Sequence, residues 1–112
     1  MSENDILTKV SSLRPNPYGS YLGDYLKSLE LRIRTEIFGE SEPSYSSDCL
    51  ILQGMDCQVY ELYLFSVIDF LNGEYGRYEN DLAAFNAAFS LLSRKATEKN
   101  TCPERSFTIW KN

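Results

Sequence analysis

Apolar residues recur every three or four positions along most of the chain, which is the spacing of an amphipathic helix. In the first segment they are Ile6, Leu7, Val10 and Leu13. Asn4 or Ser2 is placed to accept hydrogen bonds from the free amides of the first turn. Pro15 and Pro17 lack amide hydrogens and disfavour helical geometry in the residues before them. We therefore predict a short first helix that ends before RPNPYGS (residues 14–20).

The same spacing predicts a longer second helix from about Ser20 to Phe38. Its apolar stripe consists of Leu22, Tyr25, Leu26, Leu29, Ile33 and Ile37. The other faces carry Lys27, Glu30, Arg34 and Glu36. Gly39 supplies a left-handed helix terminator, because glycine adopts a positive φ at little cost. The chain is then expected to enter the polar loop GESEPSYSSD.

A short apolar run and a third helix follow this loop. CLILQ (residues 49–53) reads equally as a brief strand or as an extended segment that crosses the core. Asp56 is placed to cap a third helix that runs to about Asn72. The middle of this helix, LYLFSVIDFL, is apolar on nearly every face apart from Ser66 and Asp69. Such a helix belongs in the centre of the fold or between subunits.

Two narrow apolar seams predict that the third helix pairs with a fourth. One seam is Tyr60, Leu64, Val67 and Leu71, and the other is Tyr78, Leu82, Phe85, Phe89, Leu92 and Ala96. Keeping Gly73 and Gly76 inside one continuous helix would cost about 1 kcal/mol each relative to alanine. An antiparallel hairpin that turns at residues 72–76 is therefore favoured over a kinked long helix. The fourth helix then covers residues 77 to about 97.

The last dozen residues change character. Cys102-Pro103 prevents the helix from continuing, and SFTIW alternates between side chains that favour strands. Phe107 and Ile109 then face one way, while Thr108 and Trp110 face the other. This segment either pairs with CLILQ in the same chain or adds to a sheet in a neighbouring subunit, with Trp110 as an anchor.

Length and pattern together predict one small, mainly α domain. A chain of 112 residues supports a single core. We expect a four-helix domain at residues 1–100 with a C-terminal helical hairpin and a short extended segment near residues 49–53. An extended or β arm is expected at residues 101–112.

Charge and composition exclude several classes of function. With 11 basic and 16 acidic side chains the formal charge is −5, which disfavours binding to nucleic-acid phosphates. The chain contains no histidine, the residue most used for proton transfer near neutral pH and the commonest zinc ligand. An enzyme of this kind would have to work without histidine or a metal cluster. We therefore predict no catalytic residues, no metal and no cofactor.

The cysteines and the amino terminus indicate an intracellular protein. The cysteines Cys49, Cys57 and Cys102 are odd in number and form no CxxC pair, so we expect reduced, small core residues. A bridge from Cys102 to Cys49 or to Cys57 would be the exception. MSENDILTKV is polar and acidic, and no apolar run approaches the roughly 18 to 20 residues of a membrane span. We expect a soluble protein without membrane contact.

The candidate functional residues are tyrosines and charges suited to contacts between proteins. Tyr18, Tyr21 and Tyr25 lie close to one helical face and offer wide contact area with one hydroxyl each. Glu74 and Arg77 form an i to i+3 pair beside the predicted turn. Glu79 and Asp81 stabilise the positive end of the last helix. The predicted interaction residues are Tyr18, Tyr21, Tyr25, Glu74, Arg77, Phe107, Ile109 and Trp110.

Residues 60–95, YELYLFSVIDFLNGEYGRYENDLAAFNAAFSLLSRK, carry a resemblance that covers about a third of the chain. The matching positions are Tyr60, Tyr63, Leu64, Ile68, Asp69, Asn72, Gly73, Glu74, Arg77, Tyr78, Asn80, Phe85, Asn86, Ala88 and Phe89. This series resembles the C-terminal helical region of the small head-to-tail connector (adaptor) proteins of tailed bacteriophages. Many of these proteins end the helix with an aromatic-Asn-Arg sequence, where this chain has Leu92-Ser93-Arg94.

The resemblance implies a structural role in the neck of a virion. Connector proteins of this kind form a ring, here expected to hold twelve copies, that docks beneath the portal and bridges capsid and tail around the DNA channel. They have no catalytic residues, and their terminal segments contact the portal and neighbouring subunits. The protein would be made in the host cytoplasm and would contact portal and tail proteins.

A small acidic inhibitor or immunity-type protein that blocks one host protein is the competing prediction. Such a protein would concentrate its carboxylates on one exposed helix face. Here the acids are interspersed with Lys27, Arg32, Arg34, Arg77, Arg94 and Lys95. This distribution favours the structural role.

Overall fold

Four α-helices make up most of the computed structural model, which describes residues 1–101 and the side chains of residues 1–97. They are α1 (Glu3–Leu13), α2 (Ser20–Glu36), α3 (Gln58–Leu71) and α4 (Tyr75–Thr101), and a 3-10 turn (Gly54–Cys57) precedes α3. No strand occurs within residues 1–101. The predicted mainly α fold is confirmed for this part of the chain. The predicted arm beyond Thr101 lies outside the described residues.

Helix α1 begins with one of the two predicted cap residues, Ser2. The Ser2 hydroxyl accepts a hydrogen bond from the Asp5 amide (3.2 Å), and the Asp5 carboxylate accepts one from the Ser2 amide (3.0 Å). This reciprocal pair satisfies two amides that the first turn leaves free. Ile6 and Val10 are fully buried, whereas Leu13 in the last turn is exposed, which the spacing alone did not predict.

Helix α2 buries the predicted apolar stripe except for Tyr25, and it buries Glu30 in addition. Its buried apolar residues are Leu22, Leu26, Leu29 and Ile33. Tyr25 is exposed, while Glu30 is completely buried. The helix ends at Glu36, and Gly39 adopts the predicted left-handed conformation with a φ of 69°. The burial of Glu30 is possible because the fold supplies hydrogen-bond partners for its carboxylate.

The segment at residues 49–53 forms no strand, so the first of the two predicted alternatives is wrong. Leu50 and Leu52 are buried. The Glu30 carboxylate accepts hydrogen bonds from the Ile51 amide (2.8 Å) and the Tyr60 hydroxyl (2.6 Å). The Tyr60 oxygen in turn accepts one from the Leu52 amide (3.0 Å). Side chains of α2 and α3 thus replace the partner strand that this segment lacks.

The start of α3 differs from the prediction. Asp56 was expected to cap the helix, but it lies inside the 3-10 turn, whose bonds lead directly into α3. The residue at the cap position is Cys57, which makes no side-chain capping bond. The Asp56 carboxylate instead lies 2.9 Å from the Lys95 ammonium of α4. The preceding turn makes a side-chain cap unnecessary.

The predicted hairpin between α3 and α4 is confirmed. The chain reverses at Gly73, whose φ is 77°. The Glu74 amide donates to the carbonyl of Asp69 (2.9 Å), which closes the end of α3. Helix α4 begins at Tyr75, two residues earlier than predicted, so Gly76 lies in its first turn.

The two helices of the hairpin run antiparallel and pack along the predicted seam. Ring centroids of Phe70 and Tyr78 lie 5.2 Å apart near the turn. Those of Tyr63 and Phe85 also lie 5.2 Å apart, two helical turns further along. The residues of the α4 seam are buried or half-buried throughout. Leu71, predicted as part of the α3 seam, is exposed.

Cys49 and Cys57 differ in how far they are buried. Cys57 is buried as predicted, and burial raises the pKa of its thiol. Cys49 is exposed, which corrects its prediction as a core residue. Among the described residues, no helix combines the length and the apolar character needed to cross a bilayer.

Candidate functional site

An aromatic cleft lies between α2 and the hairpin of α3 and α4. Its walls are Tyr25, Tyr63, Ser66, Val67, Phe70, Tyr78 and Leu82, and its volume is about 210 Å³. A shallower groove on α2 shares Tyr25 with it and is lined by Tyr21, Asp24, Tyr25 and Ser28. We call the two together the tyrosine cleft. Tyrosine is the residue type that occurs most often in its lining.

Aromatic rings at and beside the cleft are exposed. The exposed fraction is 67% for Tyr21, 52% for Phe70 and 59% for Tyr75. The ring centroid of Phe70 lies 5.9 Å from that of Tyr75 and 5.2 Å from that of Tyr78, in edge-on and tilted arrangements. These arrangements are the favourable ones for aromatic pairs. The rings therefore support one another while their outer faces stay open.

The sequence of α3 explains why apolar side chains remain at the surface here. The helix is apolar on nearly every face, and α1, α2 and α4 all pack against it. Phe70 and Leu71 lie in its last turn, where both remain exposed. Exposed apolar area that is clustered rather than scattered marks interaction sites.

Hydrogen bonds of Tyr18 and Asn16 hold the start of α2 beside the turn between α3 and α4. The Tyr18 hydroxyl donates a hydrogen bond to the Asn72 side-chain oxygen. Asn16 accepts a hydrogen bond from the Tyr18 amide (2.9 Å) and donates one to the Arg14 carbonyl (3.1 Å). The loop between α1 and α2, which contains Pro15 and Pro17, is thereby fixed against the hairpin. The first turn of α2 stays in place beside the cleft.

A buried charge cluster joins the end of α1 to the hairpin. One guanidinium nitrogen of Arg14 lies 2.7 Å from Asp69 Oδ2 and 2.6 Å from Asp81 Oδ2. The Asp69 side chain is completely buried. The guanidinium carbon of Arg14 also lies 4.5 Å from the centre of the Phe65 ring. Arg14 therefore holds α1, α3 and α4 together from a single position.

Within this cluster, the pKa of Asp69 is raised above its ordinary value. Burial is the main cause that raises the pKa of Asp69 to about 6, and the adjacent Asp81 carboxyl acts in the same direction. Arg14 and Arg77 oppose the shift. Asp69 Oδ1 makes no hydrogen bond within the described residues, and a guanidinium nitrogen of Arg77 lies 3.6 Å from it. Asp69 does not line the tyrosine cleft, so we assign the cluster a structural role.

The predicted interaction residues of α2 are only partly brought together. Tyr21 and Tyr25 line the same groove, as their spacing predicted. Tyr18 precedes the first residue of α2, and its hydroxyl bonds to Asn72, so it positions the cleft rather than lining it.

The predicted charge pair beside the turn is present. Arg77 lies 2.8 Å from Glu74. Neither side chain lines the cleft, and Arg77 also approaches Asp69. Asp81, which was predicted to stabilise the positive end of the last helix, forms an ion pair with Arg14. The remaining predicted interaction residues, Phe107, Ile109 and Trp110, lie outside the described residues.

Sequence reasoning missed the part of the cleft that α3 and α4 supply. Tyr78 was assigned to the buried seam, and Phe70 to the central helix. Both lie at the turn end of the hairpin, where fewer neighbours cover them. Asp69, the charged residue in the apolar stretch LYLFSVIDFL of α3, was a signal that a cation had to lie nearby, but the sequence did not identify Arg14.

A second apolar groove lies near the other end of the hairpin. It is lined by Met55, Asp56, Gln58, Val59, Ala88, Leu91, Leu92 and Lys95. Met55 is 83% exposed and Leu91 is 50% exposed. This groove carries no aromatic ring, so its chemistry differs from that of the tyrosine cleft.

Within residues 1–101, no group of three or more histidine, cysteine, aspartate or glutamate side chains is arranged to hold a metal ion. Comparisons of the chain with protein families, curated proteins and solved structures found no match.

Proposed function

We propose that this protein is a structural subunit of a tailed-phage virion, a head-to-tail connector. In this role it forms a ring, expected to contain twelve copies, beneath the portal and bridges capsid and tail around the DNA channel. The observation that carries the proposal is the exposed tyrosine cleft. It offers the partner surface that a repeated subunit needs.

The chemistry of the cleft supports a role in binding proteins. Tyrosine and phenylalanine are enriched at protein interfaces, because each ring buries a large area at a small cost in side-chain entropy. Tyr21, Phe70 and Tyr75 are all more than half exposed. A site built for chemistry on a small molecule would instead need titratable groups that converge in a concave pocket. No carboxylate or basic side chain lines the part of the tyrosine cleft between α2 and the hairpin, and the groove on α2 contributes a single carboxylate, Asp24.

The resemblance to connector proteins falls on the elements that build the cleft. Its matching positions lie in α3, the turn and α4. Among them, Asn72 bonds to Tyr18, Asp69 pairs with Arg14, and Tyr78 lines the cleft. These positions therefore have structural roles in the hairpin.

The charge of the chain is compatible with a conduit for DNA. An acidic ring repels the phosphates that pass through its lumen, which suits passage better than binding. The tyrosine cleft can serve a heterologous interface, which closes into a ring when the rotation between copies permits.

The inhibitor alternative receives less support from the distribution of charge. Carboxylates paired with basic side chains of the same chain are Glu30, Glu36, Glu40, Asp56, Glu61, Asp69, Glu74 and Asp81. These carboxylates are spread over every helix except α1 and are used within the fold. An inhibitor that mimics nucleic acid would instead keep a row of them free on one face.

Native mass spectrometry of the purified protein, alone and mixed with the portal protein encoded in the same genome, tests the proposal. We expect a ring-sized species or the loading of about one copy per portal subunit, as a closed cyclic assembly requires. A monomer that ignores the portal assembly and binds one host protein in its place would support the inhibitor.

A further inference from the structure

Several aromatic rings of this protein carry a cation from the same chain. The pairs are Arg14 on Phe65 at 4.5 Å, Arg32 on Phe89 at 4.5 Å and Lys27 on Tyr45 at 5.8 Å. A cation over a ring face is attracted by the negative charge of the π system. The fold thus pairs basic side chains with rings on α3, on α4 and in the loop after α2.

The tyrosine cleft has open rings but no such cation. Within residues 1–97, no arginine or lysine lies over Tyr21, Tyr25, Phe70 or Tyr78. No basic side chain lines either part of the cleft. The ring faces are therefore available to a cation from outside the chain.

A carboxylate stands beside these rings without a partner of its own. Tyr21, Asp24 and Ser28 are spaced by three and four residues, so they lie on one face of α2. Together with Tyr25 they line the groove. Asp24 makes no ion pair within the described part of the chain, and the nearby Lys27 lies over Tyr45 instead. The groove therefore combines negative ring faces with an unneutralised negative charge.

We propose that the tyrosine cleft binds an arginine side chain of the partner protein, with the guanidinium against the tyrosine rings and its charge beside Asp24. Arginine fits better than lysine, because its planar guanidinium stacks on rings and pairs with a carboxylate through two parallel hydrogen bonds. The net charge of −5 favours the approach of a basic segment. This inference rests on the proposed function, since it names the partner chemistry of the same surface.

The test is an NMR titration of the full chain with a short blocked peptide, acetyl-Ser-Arg-Ser-amide. The matched probe is the same peptide with citrulline, which keeps the shape of arginine but carries no charge. We expect shift changes at the amides of residues 21–28 and at Phe70 and Tyr78. Affinity for the citrulline peptide should be lower by about 3- to 30-fold, the range of a cation–π contact.

Variants then separate the two components of the site. Asp24→Asn and Tyr25→Leu should each weaken binding of the arginine peptide about 3- to 10-fold, while both keep the native chemical shifts of the core. Glu42→Gln removes an exposed carboxylate from the loop after α2 and should leave the affinity unchanged. Equal affinity for the arginine and citrulline peptides overturns the proposal. So does the absence of shifts at the cleft up to the solubility limit of the peptide.

The failure of this inference and the failure of the proposed function give different results. If Asp24→Asn assembles with the portal protein as the unmodified chain does, and the arginine peptide ignores the cleft, the connector role stands and the arginine site does not. If the arginine peptide binds at the cleft but no assembly forms, the partner chemistry stands and the connector role fails.

Discussion

Glu30 and Asp69 are both fully buried carboxylates, but the fold satisfies them to different degrees. Both oxygens of Glu30 accept hydrogen bonds, one from Tyr60 and one from the Ile51 amide. Asp69 shares a single guanidinium nitrogen of Arg14 with another carboxylate, and its Oδ1 makes no hydrogen bond. A buried charge is tolerated only when it is paired and hydrogen-bonded. Glu30 should therefore stabilise the fold, while Asp69 should make stability depend on pH.

Removal of the Glu30 carboxylate should destabilise the protein strongly. Glu30→Ala leaves the Ile51 amide and the Tyr60 hydroxyl without their acceptor inside the core. We expect a loss of about 3 kcal/mol in the free energy of unfolding, measured by urea denaturation. Glu42→Ala, at an exposed loop position, is the matched control. Equal midpoints for the two variants would show that the buried network contributes nothing to stability.

The free energy of unfolding should fall as the pH rises, because the buried Asp69 side chain loses its proton. Its pKa is raised from 3.8 to about 6, so the folded state binds a proton that the unfolded chain has released. The stabilising effect of this proton is complete below about pH 4 and is lost as the pH rises through 6. The side chain introduced by Asp69→Asn does not titrate, so this variant should not lose this stability. The free energy of unfolding of Asp69→Asn minus that of the unmodified chain should therefore be more positive at about pH 7 than at about pH 4.5.

Urea denaturation at the two pH values measures this difference, with Asp48→Asn as the exposed control. A stability difference between Asp69→Asn and the unmodified chain that stays constant with pH would contradict the raised pKa.

At the scale of elements, one glycine lies in the turn between α3 and α4 and another at the start of α4, and replacing them should have opposite effects. Gly73 has a φ of 77°, which side chains disfavour, so Gly73→Ala should lower the unfolding free energy by about 1 kcal/mol. Gly76 lies in the first turn of α4, and a Cβ added there meets nothing within 4 Å. Gly76→Ala should raise it by up to about 1 kcal/mol. Thermal melts give the melting temperatures of both variants. A shift in the same direction for both would contradict the location of Gly73 in the turn and of Gly76 in α4.

The seam of α4 should be the most sensitive part of the hairpin. Phe85 is almost completely buried between Tyr63 and Phe89. Phe85→Ala should cost about 3 to 5 kcal/mol of stability. Phe89→Ala should cost less, because its ring is half-buried under Arg32. Leu91→Ala, at an exposed position of the same helix, is the control in urea denaturation. If Leu91→Ala and Phe85→Ala lose the same free energy of unfolding, the seam is not part of the core.

The sequence predicts the elements better than it predicts which residues they cover. Periodicity identified the four helices, because a repeat of three and four residues depends only on local geometry. The cost of keeping Gly73 and Gly76 inside one helix identified the hairpin. The exposure of Leu13, Leu71 and Tyr25 depends on how many neighbours each turn meets, and the repeat carries no such information. The buried Glu30 was missed for the same reason, since its partners come from Ile51 and Tyr60.

The candidate site was predictable to a similar degree. Tyr21 and Tyr25 were identified by their spacing on one helix. Phe70 was predicted only as part of a helix in the centre of the fold or between subunits, and Tyr78 only as part of a seam, because the sequence does not show that the two meet at a cleft. Asp24 received no role, since a single acidic residue on a helix is ordinary until its neighbours are known.

At the scale of the whole molecule, two grooves on the surface of the described residues expose apolar side chains of different chemistry. The tyrosine cleft is aromatic and lies beside the turn between α3 and α4, whereas the groove at Met55 and Leu91 is aliphatic and lies further along the hairpin. If the protein is a connector subunit that uses the tyrosine cleft, loss of rings from the cleft should prevent assembly. Loss of apolar area from the other groove should not.

The most direct measurement is the native mass of the mixture with the portal protein for the double variant Tyr21→Ser/Tyr25→Ser, for Met55→Ser and for the unmodified chain. Both tyrosines and Met55 are exposed, so circular dichroism should show the same helical content for all three proteins. We predict that Met55→Ser assembles on the portal as the unmodified chain does, while the double variant stays free. Assembly of the double variant at the level of the unmodified chain would contradict the role of the tyrosine cleft.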